Sequence, residues 1–222
     1  RAGNVILRGQ ARLPEFGYET KGPHDYVSEI DREAESIIID TLTTAYPQHA
    51  ILAEESGSIG QSDHLWVVHP LDGAMNYLHS YPQFAVSIGL RVRGRLDQAV
   101  VFDPMRNELF TASRGMGAQL DGRRIRVATQ RNIDHALLAT GFPVRSPLEL
   151  RARMPMFNDM LAHCADIRRA GAAALDLAYV ACGRLDGFWE FNLKPWDVTA
   201  GALLVQESGG LVGDPDGSQS HL

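Results

Sequence analysis

Residues 65 to 77 read Leu65-Trp66-Val67-Val68-His69-Pro70-Leu71-Asp72-Gly73-Ala74-Met75-Asn76-Tyr77, an apolar run that breaks off at Pro-Leu-Asp-Gly. The pattern predicts a strand over Leu65–Val68 that stops in a tight turn. The turn holds out a carboxylate, then a glycine whose backbone N–H can approach a ligand closely. Taken alone, Pro-Leu-Asp-Gly is only a turn; the elements around it decide whether it is more.

Those elements come in clusters. A helix opens the chain at Arg1 to Leu7, followed by a polar loop with Pro14, Gly17 and Lys21-Gly22-Pro23. Asp31 to Leu42 has acidic residues in its first turn and apolar residues at helical spacing, ending at Tyr46-Pro47. Ile51-Leu52-Ala53 is a short buried strand leading into Glu54-Glu55. A meander follows: Phe84–Val92 and Gln98–Phe102 around Arg93-Gly94-Arg95, then Asn107–Ser113 and Gly117–Leu120, with a hairpin signal at Asp121-Gly122. Leu137–Thr140 is another strand. Leu148–His163 reads as a helix interrupted at Pro155, and Ala172–Cys182 as a strongly apolar one. Gly187–Phe191 is a strand, and Asp197–Ser208 a helix closed by Gly209-Gly210. Such clustering, without strict β-α alternation, predicts an α+β fold with layered sheets and not a doubly wound parallel one. With no repeat and no linker, 222 residues read as a single domain, 1–222, with both termini trimmed.

Hydrophobic residues make up 45% of the chain and charged ones 22%, which excludes disorder. The formal net charge of −6 disfavours a nucleic-acid or membrane-surface protein and suits a carboxylate site that recruits cations. Two cysteines, Cys164 and Cys182, are too few for a disulfide scaffold or a cysteine zinc site. No run approaches the ~18 apolar residues of a membrane helix, and no signal peptide is visible. The expected location is the cytoplasm.

Carboxylates stand at element ends in three places: Glu54-Glu55, Asp72, and Asp197 after Lys194-Pro195-Trp196. Each has a bland reading by itself: a solvated loop, a turn, and a helix N-cap. Their joint order resembles the inositol monophosphatase family, whose turn usually reads Asp-Pro-Leu/Ile-Asp-Gly-Thr-Thr-Asn-Phe. Arg168-Arg169-Ala170-Gly171-Ala172-Ala173-Ala174-Leu175-Asp176-Leu177 and Gly183–Glu190 resemble two further family segments. Asp103–Gly115 and Ala139-Thr140-Gly141-Phe142-Pro143 are similar to the bacterial branch, and Lys21, Asp25 and Asp31 to its N-terminal cover.

The resemblance implies a layered α-β-α-β-α sugar-phosphatase architecture and Mg²⁺-dependent hydrolysis of a small phosphomonoester, with inositol monophosphate the leading substrate. It implies two or three Mg²⁺ ions held by Glu54, His69, Asp72, Asp197 and the carbonyl of Leu71. Glu54 and Asp72 would be catalytic, Glu54 orienting the water. Gly73 and Ala74 would receive phosphate oxygens on their N–H groups. Glu190, Asp197 and the backbone at Ala173 would bind the sugar. A homodimer is also implied. Asp176 reads as structural, in an apolar helix, and Arg168-Arg169 as solvated or ion-paired.

Three positions depart from the pattern. His69 stands where the family has an Asp that bridges metals, and it brings one nitrogen and no negative charge. As a ligand it would favour Mn²⁺ or Zn²⁺ over Mg²⁺; equally, it would fill a dead site. Ala74 and Met75 remove two hydroxyls, one of which helps hold the attacking water. Activity is therefore expected to be impaired. The alternative is a weak or dead family member that acts by binding, with the transcription machinery as a partner. A third reading, a phosphatase of fructose 1,6-bisphosphate or of a 3′-phosphonucleotide, finds no basic pocket residues. The remaining histidines read as surface or loop residues.

Overall fold

The computed structural model describes residues 1–10, 12, 18–22, 25–142, 147–214 and 218; for 18–22, 25–28 and 147 the description is of the backbone. Pro14, Gly17, Pro23, His24, Pro143 and His221, and the turn at 215–217, lie outside the described residues, as do the side chains of Lys21 and Asp25.

The chain runs α1 (Ala2–Gln10), β1 (Tyr18–Gly22), β2 (Asp25–Ser28), α2 (Glu29–Ala45), β3 (Ala50–Ala53), β4 (Gly57–Ile59), β5 (His64–Asp72) and α3 (Ala74–Leu78). It continues with β6 (Ala85–Val92), β7 (Arg95–Asp103), β8 (Glu108–Ser113), β9 (Gly117–Leu120), β10 (Arg123–Arg124), β11 (Leu137–Thr140) and α4 (Pro147–His163). Last come β12 (Asp166–Arg168), α5 (Ala173–Ala181), β13 (Gly187–Trp189) and α6 (Pro195–Glu207). A single 3₁₀ turn precedes β11 at Ile133–His135.

An eight-stranded sheet in the order β10-β9-β8-β7-β6-β5-β3-β4 forms the centre, and the predicted meander supplies its antiparallel half. One face packs on α1 and α2 through Val5, Ile6, Ile30, Ala34, Val68 and Val86. The other packs on α5 and α6 through Ala99, Val101, Phe110, Leu175, Leu203 and Leu204. Small residues set the spacing there. A Cβ on Gly89 of β6 would strike the Thr199 side chain of α6, and one on Gly201 would strike Leu177 of α5. Beyond α5 lies a parallel three-stranded sheet, β12-β11-β13. α4 covers it, with Phe157 against Phe142 and Arg153 over the Phe191 ring. The layers are thus helix, sheet, helix, sheet, helix, and the fold is the α+β architecture expected.

Some element bounds differ from the sequence reading for physical reasons. β5 does not stop at Val68 but runs to Asp72, because a register shift between His69 and Asp72 accommodates Pro70, which has no N–H to give to the ladder. α6 begins at Pro195, so Asp197 is the third helical residue and not the cap. α4 runs unbroken through Pro155.

Candidate active site

The site grows out of strand register. β3 and β5 run parallel with Ala53 beside Val68, and the Glu54 N–H extends the ladder to the Val68 carbonyl at 3.2 Å. The next residues on the two strands, Glu54 and His69, therefore lie abreast. Between β5 and β6, His69 pairs with Ser87 and Asp72 with Ala85, so three steps on β5 match two on β6. Side chains alternate faces along a strand, and an unbroken β5 would aim residues 69 and 72 oppositely. The one-residue bulge at Pro70-Leu71 brings both to one face.

Each acid is then fixed by a backbone donor. Asp72, 5% exposed, accepts the Ala174 N–H at 2.7 Å, a carboxylate seated on the first turn of α5. Asp197 accepts the Lys194 N–H at 2.6 Å across the start of α6. Gly73 closes β5 in the left-handed region (φ 89°, ψ 34°), and a Cβ there would lie 2.8 Å from the Gln83 carbonyl oxygen. Asn76 of α3 donates to the carbonyls of Gln83 (2.6 Å) and Ala170 (2.8 Å), clipping the turn to the segment that leads into α5.

His69 sits among these acids. Its Nε2 is 2.9 Å from Glu54 Oε2 and its Nδ1 is 3.3 Å from Asp197 Oδ1. The second contact is close enough for ion pairing but not aligned as a hydrogen bond, and Nδ1 is a buried nitrogen with no hydrogen-bond partner. Burial works against charge on the ring; Glu54 first, then Asp72 and Asp197, outweigh it and raise the His69 pKa to about 10. Burial pushes the Asp72 carboxyl up to about 6, with His69 opposing and Asp197 adding to the rise.

Asp176 and Glu190 join this field. Burial, then the charge of Asp72, raises Asp176 to about 8 and Glu190 to about 7, and Arg169 opposes both shifts. The sequence reads Asp176 as structural because its neighbours are apolar; its carboxyl is buried (2% exposed) and feels the charges of Asp72 and Glu190. A Cβ on Gly141 would collide with the Glu190 carboxylate, so that glycine makes room for it. Leu71 and Ala173 are buried, while Ala74 and Met75 stand on the outer turn of α3, Met75 38% exposed. Among the described residues, no contact singles out the Leu71 carbonyl, the Gly73 and Ala74 N–H groups or the Ala173 backbone.

Glu54, Asp72 and Asp197 offer the oxygen ligands that a hard cation such as Mg²⁺ takes. His69 does not fit that role. It brings neither an oxygen nor a negative charge to the set; its Nε2 lies 2.9 Å from Glu54, and its Nδ1, without a hydrogen-bond partner, lies 3.3 Å from Asp197. Among the described residues, no group of three or more His, Cys, Asp or Glu side chains is arranged to hold a metal ion.

Away from the site, His49 stacks between Tyr46 and His64 at 4.9 and 4.6 Å and accepts the Trp66 indole N–H at 3.0 Å. Dispersed sequence positions hid that cluster. No helix among the described residues is long and apolar enough to cross a membrane.

Comparison with known proteins gives a consistent picture. The model of the inositol monophosphatase family matches residues 1–222. The Nus factor SuhB of Pseudomonas aeruginosa is 53% identical over 227 residues, covering 100% of this chain and 84% of that protein. Its Escherichia coli K12 counterpart is 48% identical over 224 residues, with the same coverage. Among solved structures, the extragenic suppressor protein SuhB of Bartonella henselae superposes with a TM-score of 0.96 at 45% identity, over 99% of this chain and 85% of that one. The inositol monophosphatase of Anabaena gives 0.85 at 38%, over 98% and 81%.

Proposed function

The chain belongs to the inositol monophosphatase family, and from that premise we propose that it keeps the family's phosphomonoester site in outline, hydrolyses poorly and acts by binding. The observation that carries this reading is the 2.9 Å contact between His69 and Glu54. Glu54 is the group the family pattern assigns to orienting the attacking water, and here the imidazole holds it. Ala74 adds to the impairment, because it has no hydroxyl to complete the water's position.

What this chain's residues do on this reading is bind. The N–H groups of Gly73 and Ala74 and the backbone at Ala173 face a small phosphomonoester such as inositol monophosphate, and Glu190 takes its hydroxyls. Asp197 and Asp72 shape the floor. The family's Mg²⁺ chemistry would draw on Glu54, Leu71, Asp72 and Asp197, and His69 lies between Glu54 and Asp197. The relatives named as Nus factors support the transcription machinery as partner and the cytoplasm as location. A homodimer completes the proposal.

The test is initial rates on inositol monophosphate with Mg²⁺ or Mn²⁺, for the protein and for the His69→Asp/Ala74→Thr variant, alongside binding of both to purified RNA polymerase. Slow turnover in the natural chain, a gain of at least about 10-fold in the variant, and equal polymerase binding are expected. Equal turnover in the two proteins would overturn the impairment, and absence of polymerase binding would overturn the partner.

A further inference from the structure

We propose that Glu35 of α2 is a positioning residue for Glu54: its carboxylate fixes the turn between β3 and β4 and so sets where the Glu54 side chain points. The inference rests on the reading above that Glu54 is the group that orients the water, and deepens it by naming what aims that group.

β3 and β4 pair antiparallel with Ala53 opposite Gly57, so Glu54, Glu55 and Ser56 form a three-residue hairpin loop. Gly57 follows with φ 71°, the left-handed residue that closes loops of this length. Glu54 is the first loop residue, and β5 fixes its backbone on one side, where the Glu54 N–H donates to the Val68 carbonyl. The next two N–H groups lie outside the strand register, and Glu35 takes both. The Glu55 N–H donates to Glu35 Oε2 at 2.8 Å and the Ser56 N–H to Oε1 at 2.8 Å, while the Ser56 hydroxyl donates to Oε1 at 2.5 Å.

Glu35 is an unexpected residue where it stands. It is 1% exposed, on the face of α2 that carries Ile30, Ala34 and Ile38 into the core. A carboxylate buried among apolar side chains is costly unless donors meet it, and here the donors come from the loop that carries Glu54. Each oxygen takes one N–H, so the loop cannot turn about the end of β3 without breaking a charge-assisted bond. Glu54 is thus gripped from β5 on one side and from α2 on the other, and its carboxylate arrives 2.9 Å from the His69 ring.

The experiment reads the His69 ring in the folded protein, by NMR of isotope-labelled histidine at one neutral pH and well below the thermal midpoint. The His69 signals are assigned by their loss in His69→Gln. Glu35→Gln keeps the size but turns an NH₂ group on one of the two N–H donors, so one bond is lost. Its His69 signals should shift as Glu54 moves off the ring. Glu35→Asp keeps both acceptors one methylene short; it should move the same signals in a smaller step, and it carries the test if Glu35→Gln does not fold. Glu207→Gln is the control. Glu207 takes the Gly115 and Gly117 N–H groups at 2.8 Å, the same grip on the turn after β8, which lies three strands from β5. Its loss should leave the His69 signals in place. In the His69→Asp/Ala74→Thr background, Glu35→Gln should lower kcat on inositol monophosphate by about 10- to 100-fold with KM unchanged. His69 signals unmoved in the folded Glu35 variants, or moved as far by Glu207→Gln, overturn the proposal, as does an unchanged kcat; a lower thermal midpoint alone would then mark Glu35 as structural. Failure of the impairment reading looks different: a background that turns over no faster than the natural chain sinks that reading, and the His69 signals still decide the role of Glu35.

Discussion

Glu54 and His69 are neighbours because parallel register makes them so: Ala53 lies beside Val68, and the residues that follow on β3 and β5 meet at 2.9 Å. The contact therefore comes from the sheet and survives any substitution at the rim.

His69→Asp combined with Ala74→Thr should raise turnover by more than the product of the single changes. The first removes the imidazole from Glu54 and restores an oxygen ligand; the second supplies the hydroxyl that shares the water with Glu54. Groups that act as a unit combine non-additively. Initial rates on inositol monophosphate across the four proteins of the cycle decide the matter, and strict multiplicativity would show independent sites.

The stability profile should slope downward toward alkaline pH. A histidine whose folded pKa is raised from 6.5 to about 10 contributes stability that is fully present below 6.5 and lost as pH rises through 10. Asp176 and Glu190, raised to about 8 and about 7, act in the same direction below those values. The His69→Gln profile should therefore be flatter than the natural one above about pH 7, and urea midpoints across that range check it. Parallel profiles for the two proteins would contradict the burial of a charged ring.

Asn76 should prove sensitive to charge more than to size. Its amide nitrogen is 2.6 Å from the Gln83 carbonyl oxygen and 2.8 Å from that of Ala170. Asn76→Ala strips partners from part-buried carbonyls and should cost about 1–3 kcal/mol in denaturant unfolding. Asn76→Asp is nearly isosteric but turns a carboxylate on the same oxygens, so it should cost more than alanine. The reverse order would show that the amide oxygen, not the nitrogen, faces the loop.

The site was legible in the sequence as residues and illegible as space. The turn at Pro70–Gly73, the Glu54-Glu55 segment and the Trp196-Asp197 helix start all carried signals, but nothing local joins Asp72 to Asp197, and only the packing of α6 on β6, allowed by Gly89, brings them together. The strand reading ended at Val68 because proline reads as a stop; the bulge that carries β5 past it depends on β6, which a local pattern does not contain. β12 escaped notice for a similar reason, being three residues, Asp166–Arg168, held in place by β11. The meander of β6 to β9 was readable throughout because hairpin partners are close in sequence and alternation marks each strand.

Asp176 supplies a discriminating test. Its apolar helix suggested a structural residue, yet burial and the charge of Asp72 raise its pKa from 3.8 to about 8. The stability this group contributes is present below 3.8 and lost as pH rises through 8, so the neutral acid is the form the fold prefers. Asn mimics that neutral form in size and polarity. Asp176→Asn should thus change the urea midpoint little near pH 4 and stabilise the protein increasingly as pH rises from about 4 to 8, the range in which the unfolded natural side chain is ionised and the folded one is held neutral beside Asp72 and Glu190. Asp197→Asn should behave otherwise. That carboxylate accepts the Lys194 N–H and lies 3.3 Å from His69 Nδ1, so the loss of its charge removes a partner from the ring and destabilises at neutral pH. Equal responses of the two variants at both pH values would mean that the acids are interchangeable solvated groups, and the separate roles assigned to them would fall.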